Sequence, residues 1–181
     1  SVEGHTSTND SLIILANGAS GAGKMLGGDW DAFVAVVTEV CCELAKEIAI
    51  DAEGANHLVT ITVEGLRDDK EAKKIAKTVA ESVLVKTAIF GADPNWGRVV
   101  MAIGKSGAVA DRDLLTIRFG DILVAENGWV APSYREDEAA AYMKGSNLRI
   151  AVDLGIGAHS ATVWTCDLTH GYIEINADYR S

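Results

Sequence analysis

The sequence predicts a mixed α/β fold in which helices and a β-sheet form layers (α+β layered). Two kinds of segment in its 181 residues support this fold: long stretches with apolar residues at helical spacing, and short apolar or alternating runs of strand length. A chain of this length removes about 70% of its unfolded surface from water when it folds. We therefore expect a single unit with its own core, held by neither a disulfide nor a metal.

The first half of the chain predicts two strands and two long helices. The continuous apolar run at 11–16 is flanked by turn residues and predicts a buried strand. Apolar residues three and four apart over 31–50 predict an amphipathic helix whose buried stripe includes Cys41. Residues 57–63 alternate as a half-buried strand, and 69–84 predict a second amphipathic helix.

The middle of the second half predicts shorter elements. A helix is expected over 93–103, because Asp93 is a good N-cap and the Pro after it fits the first helical position. Strands are expected at 115–118 and 122–125, and a short acidic helix at 135–144.

The last part of the chain predicts a β-ribbon and a docked tail. Residues 148–154 and 161–166 alternate and are joined by a Gly-rich connection, which predicts an antiparallel pair. Residues 172–181 carry two Tyr and two Ile, whereas frayed chain ends are usually polar. We expect this tail to pack against the rest of the molecule.

Charge and composition exclude several classes of protein. The chain has 26 acidic and 16 basic residues and a formal net charge of −10, which argues against nucleic acid as a partner. No apolar run approaches the roughly 20 residues that a membrane helix requires. The odd count of three cysteines suggests a reducing compartment without structural bridges. We expect a soluble protein that binds no membrane.

The Gly-rich stretch at 18–24 has the spacing of a phosphate-binding loop up to Lys24. The motif requires Ser or Thr next, to ligate Mg²⁺, but Met25 follows, and the glycines at 27–28 interrupt the helix that must begin there. A flexible connection is the favoured interpretation over a nucleotide site. The four His residues show no pair four apart and no Cys at ligand spacing, so we expect no metal site.

Two isolated residues offer chemistry that the sequence alone leaves open. Ser1 would be a nucleophile activated by its own amine if it were a natural cleavage product, but a fragment boundary is the favoured interpretation. Glu53 lies in a loop between the first long helix and the next strand, where a carboxylate is able to bind an ammonium group. An exposed Glu without a ligand is the more common case.

Five segments of the chain together carry a family resemblance. They are residues 3–10 (EGHTSTND), 51–55 (DAEGA), 85–98 (VKTAIFGADPNWGR), 166–169 (CDLT) and 175–179 (INADY). In this order they resemble the β chain of the bacterial ornithine acetyltransferases, the glutamate N-acetyltransferases of arginine biosynthesis. The resemblance implies the N-terminal-nucleophile-like fold of that family, with this chain as its C-terminal, β-chain part.

The resemblance also implies an activity and a partner. The family precursor cleaves itself into α and β chains, and the Thr exposed by cleavage carries an acetyl group from N2-acetylornithine to glutamate. Some members also accept acetyl-CoA. The implied protein is cytoplasmic, uses no cofactor, and joins the α chain of the same precursor in an α2β2 assembly.

Three substrate-binding residues follow from the resemblance by position: Glu53, Asn176 and Ser181. We expect Glu53 to pair with the side-chain ammonium of ornithine, and Asn176 and the Ser181 hydroxyl to hydrogen-bond the polar end of the amino acid. Ser181 stands where the family has Thr and keeps the hydroxyl. His5 stands where the family usually has Asp.

The resemblance places the catalytic groups outside this sequence. In the family the nucleophilic Thr lies a few dozen residues before the EGHTSTND-like segment, in a Met-Ala-Thr-Met-Leu-like stretch that is missing here. The oxyanion hole belongs to the α chain. We expect no catalytic residue in this chain and no transferase activity from it alone. Two alternatives are a secondary-metabolism acyltransferase with another acceptor and a catalytically silent structural or binding domain.

Overall fold

A six-stranded sheet forms the centre of the protein. We describe it from a computed structural model that covers residues 1–5 and 11–178. The strands are β1 (Leu58–Leu66), β2 (Thr116–Phe119), β3 (Ile122–Glu126), β4 (Trp129–Val130), β5 (Asn147–Asp153) and β6 (His159–Cys166). Their order is β4-β3-β2-β5-β1-β6, with β1 parallel to β5 and the other neighbours antiparallel. The predicted mixed α/β fold is confirmed.

Helices surround this sheet. They are α1 (Gly28–Ile50), α2 (Asp69–Ala80), α3 (Val83–Phe90), α4 (Trp96–Lys105), α5 (Glu136–Tyr142) and α6 (His170–Asp178), with a 3-10 turn at Arg112–Leu114. Within the described part of the chain, no helix combines the length and apolar character needed to cross a bilayer.

Local capping changes two of the predicted helices. The helix predicted over 69–84 is two helices, because the Ser82 hydroxyl accepts a hydrogen bond from the Val85 amide at 3.4 Å and starts α3. The N-cap of α4 is Asn95 and not the predicted Asp93, since the Asn95 side chain accepts from the backbone of the first turn. The acidic helix and the strands predicted from residue 57 onward form with ends shifted by a few residues.

The helices α1 and α2 cover opposite faces of the sheet. Neighbouring residues of a strand point to opposite faces, and the Thr165 hydroxyl of β6 donates to the carbonyl of Ala80 at the end of α2. The ring of Trp164 instead lies under the ammonium of Lys46 in α1, 5.4 Å from its centroid. The buried core lies on the α2 face, where Val59, Ile61, Val63, Ile75 and Val79 are fully enclosed.

The predicted antiparallel pair of 148–154 and 161–166 is wrong. Both strands form, but β1 lies between them, parallel to β5 and antiparallel to β6. The Ile156 amide donates to the Gly65 carbonyl at 2.8 Å, so the connection crosses the end of β1 and does not fold back as a hairpin. Alternation within each strand predicts the strand itself and leaves its neighbour unspecified.

The burial predicted near the N-terminus is also wrong. Residues 11–16 form no strand, and the side chains of Leu12, Ile13, Ile14 and Leu15 are between 70% and 91% exposed. The helix predicted over 31–50 is confirmed, but Cys41 is only half-buried and Leu44 is exposed. Periodicity predicts which side chains share a face, and the described residues leave most of this face exposed.

Candidate functional site

The loop between α1 and β1 presents Glu53 at the surface. It turns sharply, with the Ala55 amide donating to the Ala52 carbonyl at 2.9 Å. Gly54 has φ +67°, a conformation that side chains with a Cβ rarely adopt. A Cβ on Gly54 would lie 2.5 Å from the Tyr172 nitrogen, so the loop packs backbone to backbone against α6.

The hydroxyl of Thr169 joins this loop to the start of α6. It donates to the Gly54 carbonyl at 2.6 Å and accepts from the Tyr172 amide at 3.3 Å. The second bond has the geometry of an N-cap, in which a hydroxyl accepts from the third residue of the helix. The Glu53 loop and α6 are therefore fixed to one another.

This arrangement brings Glu53 and Asn176 together. The Asn176 amide nitrogen donates to Glu53 Oε2 at 2.6 Å and to the Tyr172 carbonyl, one helical turn earlier, at 2.9 Å. Both side chains are exposed. Two of the three predicted binding residues, 123 positions apart in the chain, are thus in direct contact. Ser181, the third, lies outside the described residues.

A second carboxylate lies beside this pair. Glu3 Oε2 accepts a hydrogen bond from the Tyr172 hydroxyl at 2.6 Å. This bond, helped by partial burial and by the negative charges of Glu3 and Glu53, raises the pKa of Tyr172 to about 12. The phenol therefore keeps its proton at a higher pH than an ordinary Tyr does. Two carboxylates around one exposed surface create a local negative field that favours a positively charged ligand group.

Sequence reasoning did not assign Glu3 and Tyr172 to this site. Tyr172 and Asn176 are four residues apart, a spacing that places them on one face of a helix. Recognising the tail as a helix would have revealed that pair. Glu3 reaches the site by contacting Tyr172, which lies 169 positions further along the chain. No local sequence pattern indicates this contact. The neighbouring His5 is exposed, with its Nδ1 3.8 Å from Glu3 Oε1.

A buried lysine of α3 lies next to Cys166, the last residue of β6. Lys86 Nζ donates to Thr165 Oγ1 at 3.0 Å and to the Cys166 carbonyl, and lies 3.6 Å from Cys166 Sγ. Burial lowers the pKa of Lys86 and raises the pKa of the Cys166 thiol. Since the thiolate is the reactive form, Cys166 is a poor nucleophile here.

The Gly-rich stretch does not form a phosphate cradle. The helix α1 begins at Gly28, well past Lys24, and residues 11–27 are exposed. A phosphate loop requires the helix to begin at the Lys, so that its first amides face the phosphate. Over residues 1–5 and 11–178, no group of three or more His, Cys, Asp or Glu side chains is arranged to hold a metal ion.

Comparisons with known proteins place the chain in a family. Its fold is that of mixed α/β proteins built on a central sheet, and the model of the ArgJ family matches all of residues 1–181. The chain belongs to the ArgJ family.

Individual relatives agree with this assignment. The arginine biosynthesis bifunctional protein ArgJ of Ruegeria pomeroyi is 61% identical over 99% of this chain, and that of Zymomonas mobilis is 49% identical. This chain spans 43% and 45% of their lengths, less than half of the curated relatives it matches. The crystal structure of that protein from Bacillus halodurans superposes with a TM-score of 0.93 at 40% identity, covering 99% of this chain and 85% of the solved chain.

Proposed function

We propose that this chain supplies substrate-binding residues to an acetyltransferase that moves the acetyl group of N2-acetylornithine to glutamate in arginine biosynthesis. The contact between Glu53 and Asn176, beside the second carboxylate of Glu3, carries the proposal. The names of the relatives, arginine biosynthesis bifunctional protein, support the pathway. Membership in the family supports the type of chemistry.

Each binding residue has a role that matches its charge. The carboxylate of Glu53 pairs with the side-chain ammonium of the ornithine moiety in a charge-assisted hydrogen bond. Asn176 holds Glu53 Oε2 through its amide nitrogen, and its own carbonyl oxygen takes no part in that bond. This oxygen and the hydroxyl of Ser181 are the proposed partners of the polar end of the amino acid.

The acyl transfer itself uses a Thr outside this sequence. Its hydroxyl oxygen attacks the acetyl carbonyl and gives its proton to its own α-amine. The amide C–N bond then breaks, ornithine leaves with that proton, and acetyl-Thr remains. The amine of glutamate attacks the ester, N-acetylglutamate leaves, and the Thr hydroxyl recovers its proton. An oxyanion hole from the α chain stabilises both tetrahedral intermediates.

The proposed partner is the α chain of the same precursor, in an α2β2 assembly in the cytoplasm. The exposed apolar side chains of residues 12–15 and of α1 support a covering chain, because isolated soluble surfaces rarely carry large apolar patches. The lengths of the relatives also support two chains. This chain covers 85% of the solved Bacillus chain but 43% of the Ruegeria protein. The solved Bacillus chain is therefore about half as long as the Ruegeria protein.

Steady-state kinetics of the full-length gene product tests the proposal. With N2-acetylornithine and glutamate varied together, we expect the parallel double-reciprocal lines of a ping-pong reaction. With glutamate omitted, an acetylated chain should accumulate and be visible by intact mass. Acetyl-CoA offered as the donor tests the wider donor range.

Two outcomes would contradict the proposal. Absence of any acetyl transfer, with a folded and processed protein, would favour the catalytically silent domain. Efficient transfer to acceptors other than glutamate, with none to glutamate, would favour the secondary-metabolism relative.

A further inference from the structure

The short connection between β6 and α6 is unusually polar for a buried segment. Asp167 and Thr169 are only 3% and 4% exposed, and their side chains hydrogen-bond neither the Glu53 nor the Asn176 side chain. A buried polar side chain costs stability unless it is hydrogen-bonded. The bonds that these two residues make all reach the loop and the helix that carry the proposed substrate site.

Thr169 uses one hydroxyl on both of these segments. The bond to the Gly54 carbonyl fixes the backbone next to Glu53, and the bond from the Tyr172 amide fixes the helix one turn before Asn176. The two backbones approach so closely that a Cβ on Gly171 would lie 3.2 Å from the Gly54 Cα. A single polar group therefore sets the spacing of the two segments.

Asp167 holds the far side of the same loop. Its Oδ1 accepts from the Asn56 amide at 2.9 Å and from the His57 amide at 3.2 Å, while its Oδ2 lies 2.7 Å from His57 Nδ1. A buried carboxylate that receives several donors is held in one orientation. The loop is thus anchored at Gly54 by Thr169 and at residues 56–57 by Asp167, with Glu53 at its exposed end.

We propose that Thr169, assisted by Asp167, is a positioning residue for the proposed substrate site: its hydroxyl sets the distance between Glu53 and Asn176. This inference rests on the proposed function. Thr169 touches no substrate in this account and acts through the backbones of Gly54 and Tyr172. It therefore governs how well the ammonium of the acetylated donor is bound more than how fast the acetyl group moves.

The test uses variants of Thr169 in the full-length gene product. Thr169→Val removes the hydroxyl and both of its hydrogen bonds at nearly constant volume. It should raise the KM for N2-acetylornithine about fivefold, because Glu53 and Asn176 are then held less firmly. The KM for glutamate, which has no side-chain ammonium, should rise less, and kcat should change little. Thr169→Ser keeps the hydroxyl and should restore the KM of the unmodified protein.

A matched control separates positioning from general loss of stability. Ser106, at the end of α4, is also buried, and its hydroxyl donates to the Ile103 carbonyl at 2.6 Å and accepts from the Ala108 amide at 3.1 Å. Ser106→Ala removes one donated and one accepted hydrogen bond, as Thr169→Val does, but from an element that carries no proposed binding residue. It should lower stability and leave both KM values unchanged.

Hydrogen exchange gives a readout that does not depend on activity. Thr169→Val should speed exchange at residues 52–57 and at the start of α6, whereas Thr169→Ser and Ser106→Ala should not. Unchanged exchange in Thr169→Val overturns the inference, and so does faster exchange with unchanged KM in an active enzyme. If the unmodified protein transfers no acetyl group, the proposed function fails, and exchange alone decides whether Thr169 couples the two segments.

Discussion

The bond between Tyr172 and Glu3 ties the first residues of the chain to the candidate site. It joins the phenol to the carboxylate at 2.6 Å and raises the pKa of Tyr172 to about 12. A phenol with a raised pKa in the folded state contributes stability below its unfolded value of about 10. That contribution disappears as the pH rises toward the folded value.

We predict a late phenolate titration that belongs to Tyr172. The phenolate absorbance of the full-length protein, minus that of Tyr172→Phe, should titrate near pH 12. Glu3→Gln should move this titration toward the ordinary value, because it removes the negative acceptor. A difference titration at the ordinary pKa in the unmodified protein would show that the bond does not form in solution.

At the residue scale, a family resemblance supplied the positions of the proposed binding residues. Glu53 and Asn176 were assigned from the sequence and lie in contact. Nothing in the sequence around either residue indicates that the chain brings them together across 123 positions. Their substrate role stays a prediction. Asp167 and Thr169 were not singled out as individual residues, because a buried polar side chain is recognisable only when its partners are known.

Elements were predictable where periodicity is strong, and their neighbours were not. The helix over 31–50 and the strand over 57–63 form as expected. The pairing of 148–154 with 161–166 was wrong, because β1 inserts between the two strands and strand alternation carries no information about the neighbour. The split at Ser82 depends on one capping bond that competes with the apolar period of the longer helix.

The tight turn before β1 predicts a specific cost for a methyl group. Gly54→Ala should lower the free energy of unfolding by about 1–2 kcal/mol or more. The reasons are the φ of +67° at Gly54 and the close contact that a Cβ would make with the start of α6. Gly104→Ala is the matched control, since an added Cβ there meets nothing within 4 Å. The control should be neutral or stabilising by up to about 1 kcal/mol, because Gly104 lies in α4 and Ala is more favourable than Gly inside a helix.

Denaturant unfolding of the full-length protein measures both variants. Equal stability of the two variants would mean that the loop relaxes freely, and it would argue against the close packing of Gly54 on α6.

At the scale of the molecule, the apolar surface is distributed unevenly. The α2 face of the sheet is a closed core, whereas α1 exposes a stripe that includes Phe33, Val40 and Leu44, and residues 12–15 are exposed as well. This distribution is why the predicted buried strand and buried stripe were wrong for the described chain. The same side chains are suited to a covering partner, which we propose is the α chain.

The proposed assembly predicts the effect of a charge within this stripe. Val40→Asp should weaken association of the two chains in the full-length product, because the assembly would have to bury an unpaired carboxylate. Thr38→Asp adds the same charge on the other side of the helix and should leave the assembly intact. Analytical ultracentrifugation distinguishes these results, and an unchanged assembly in Val40→Asp would contradict the proposed interface.

The most direct test of the central claim is the KM for N2-acetylornithine in Glu53→Gln. The substitution keeps the shape of the side chain and removes its negative charge, so the account predicts a rise of about tenfold or more, with a smaller change in the KM for glutamate. Glu174→Gln, an exposed carboxylate on the same helix as Asn176, should leave both values unchanged. An unchanged KM for N2-acetylornithine in Glu53→Gln would contradict the account.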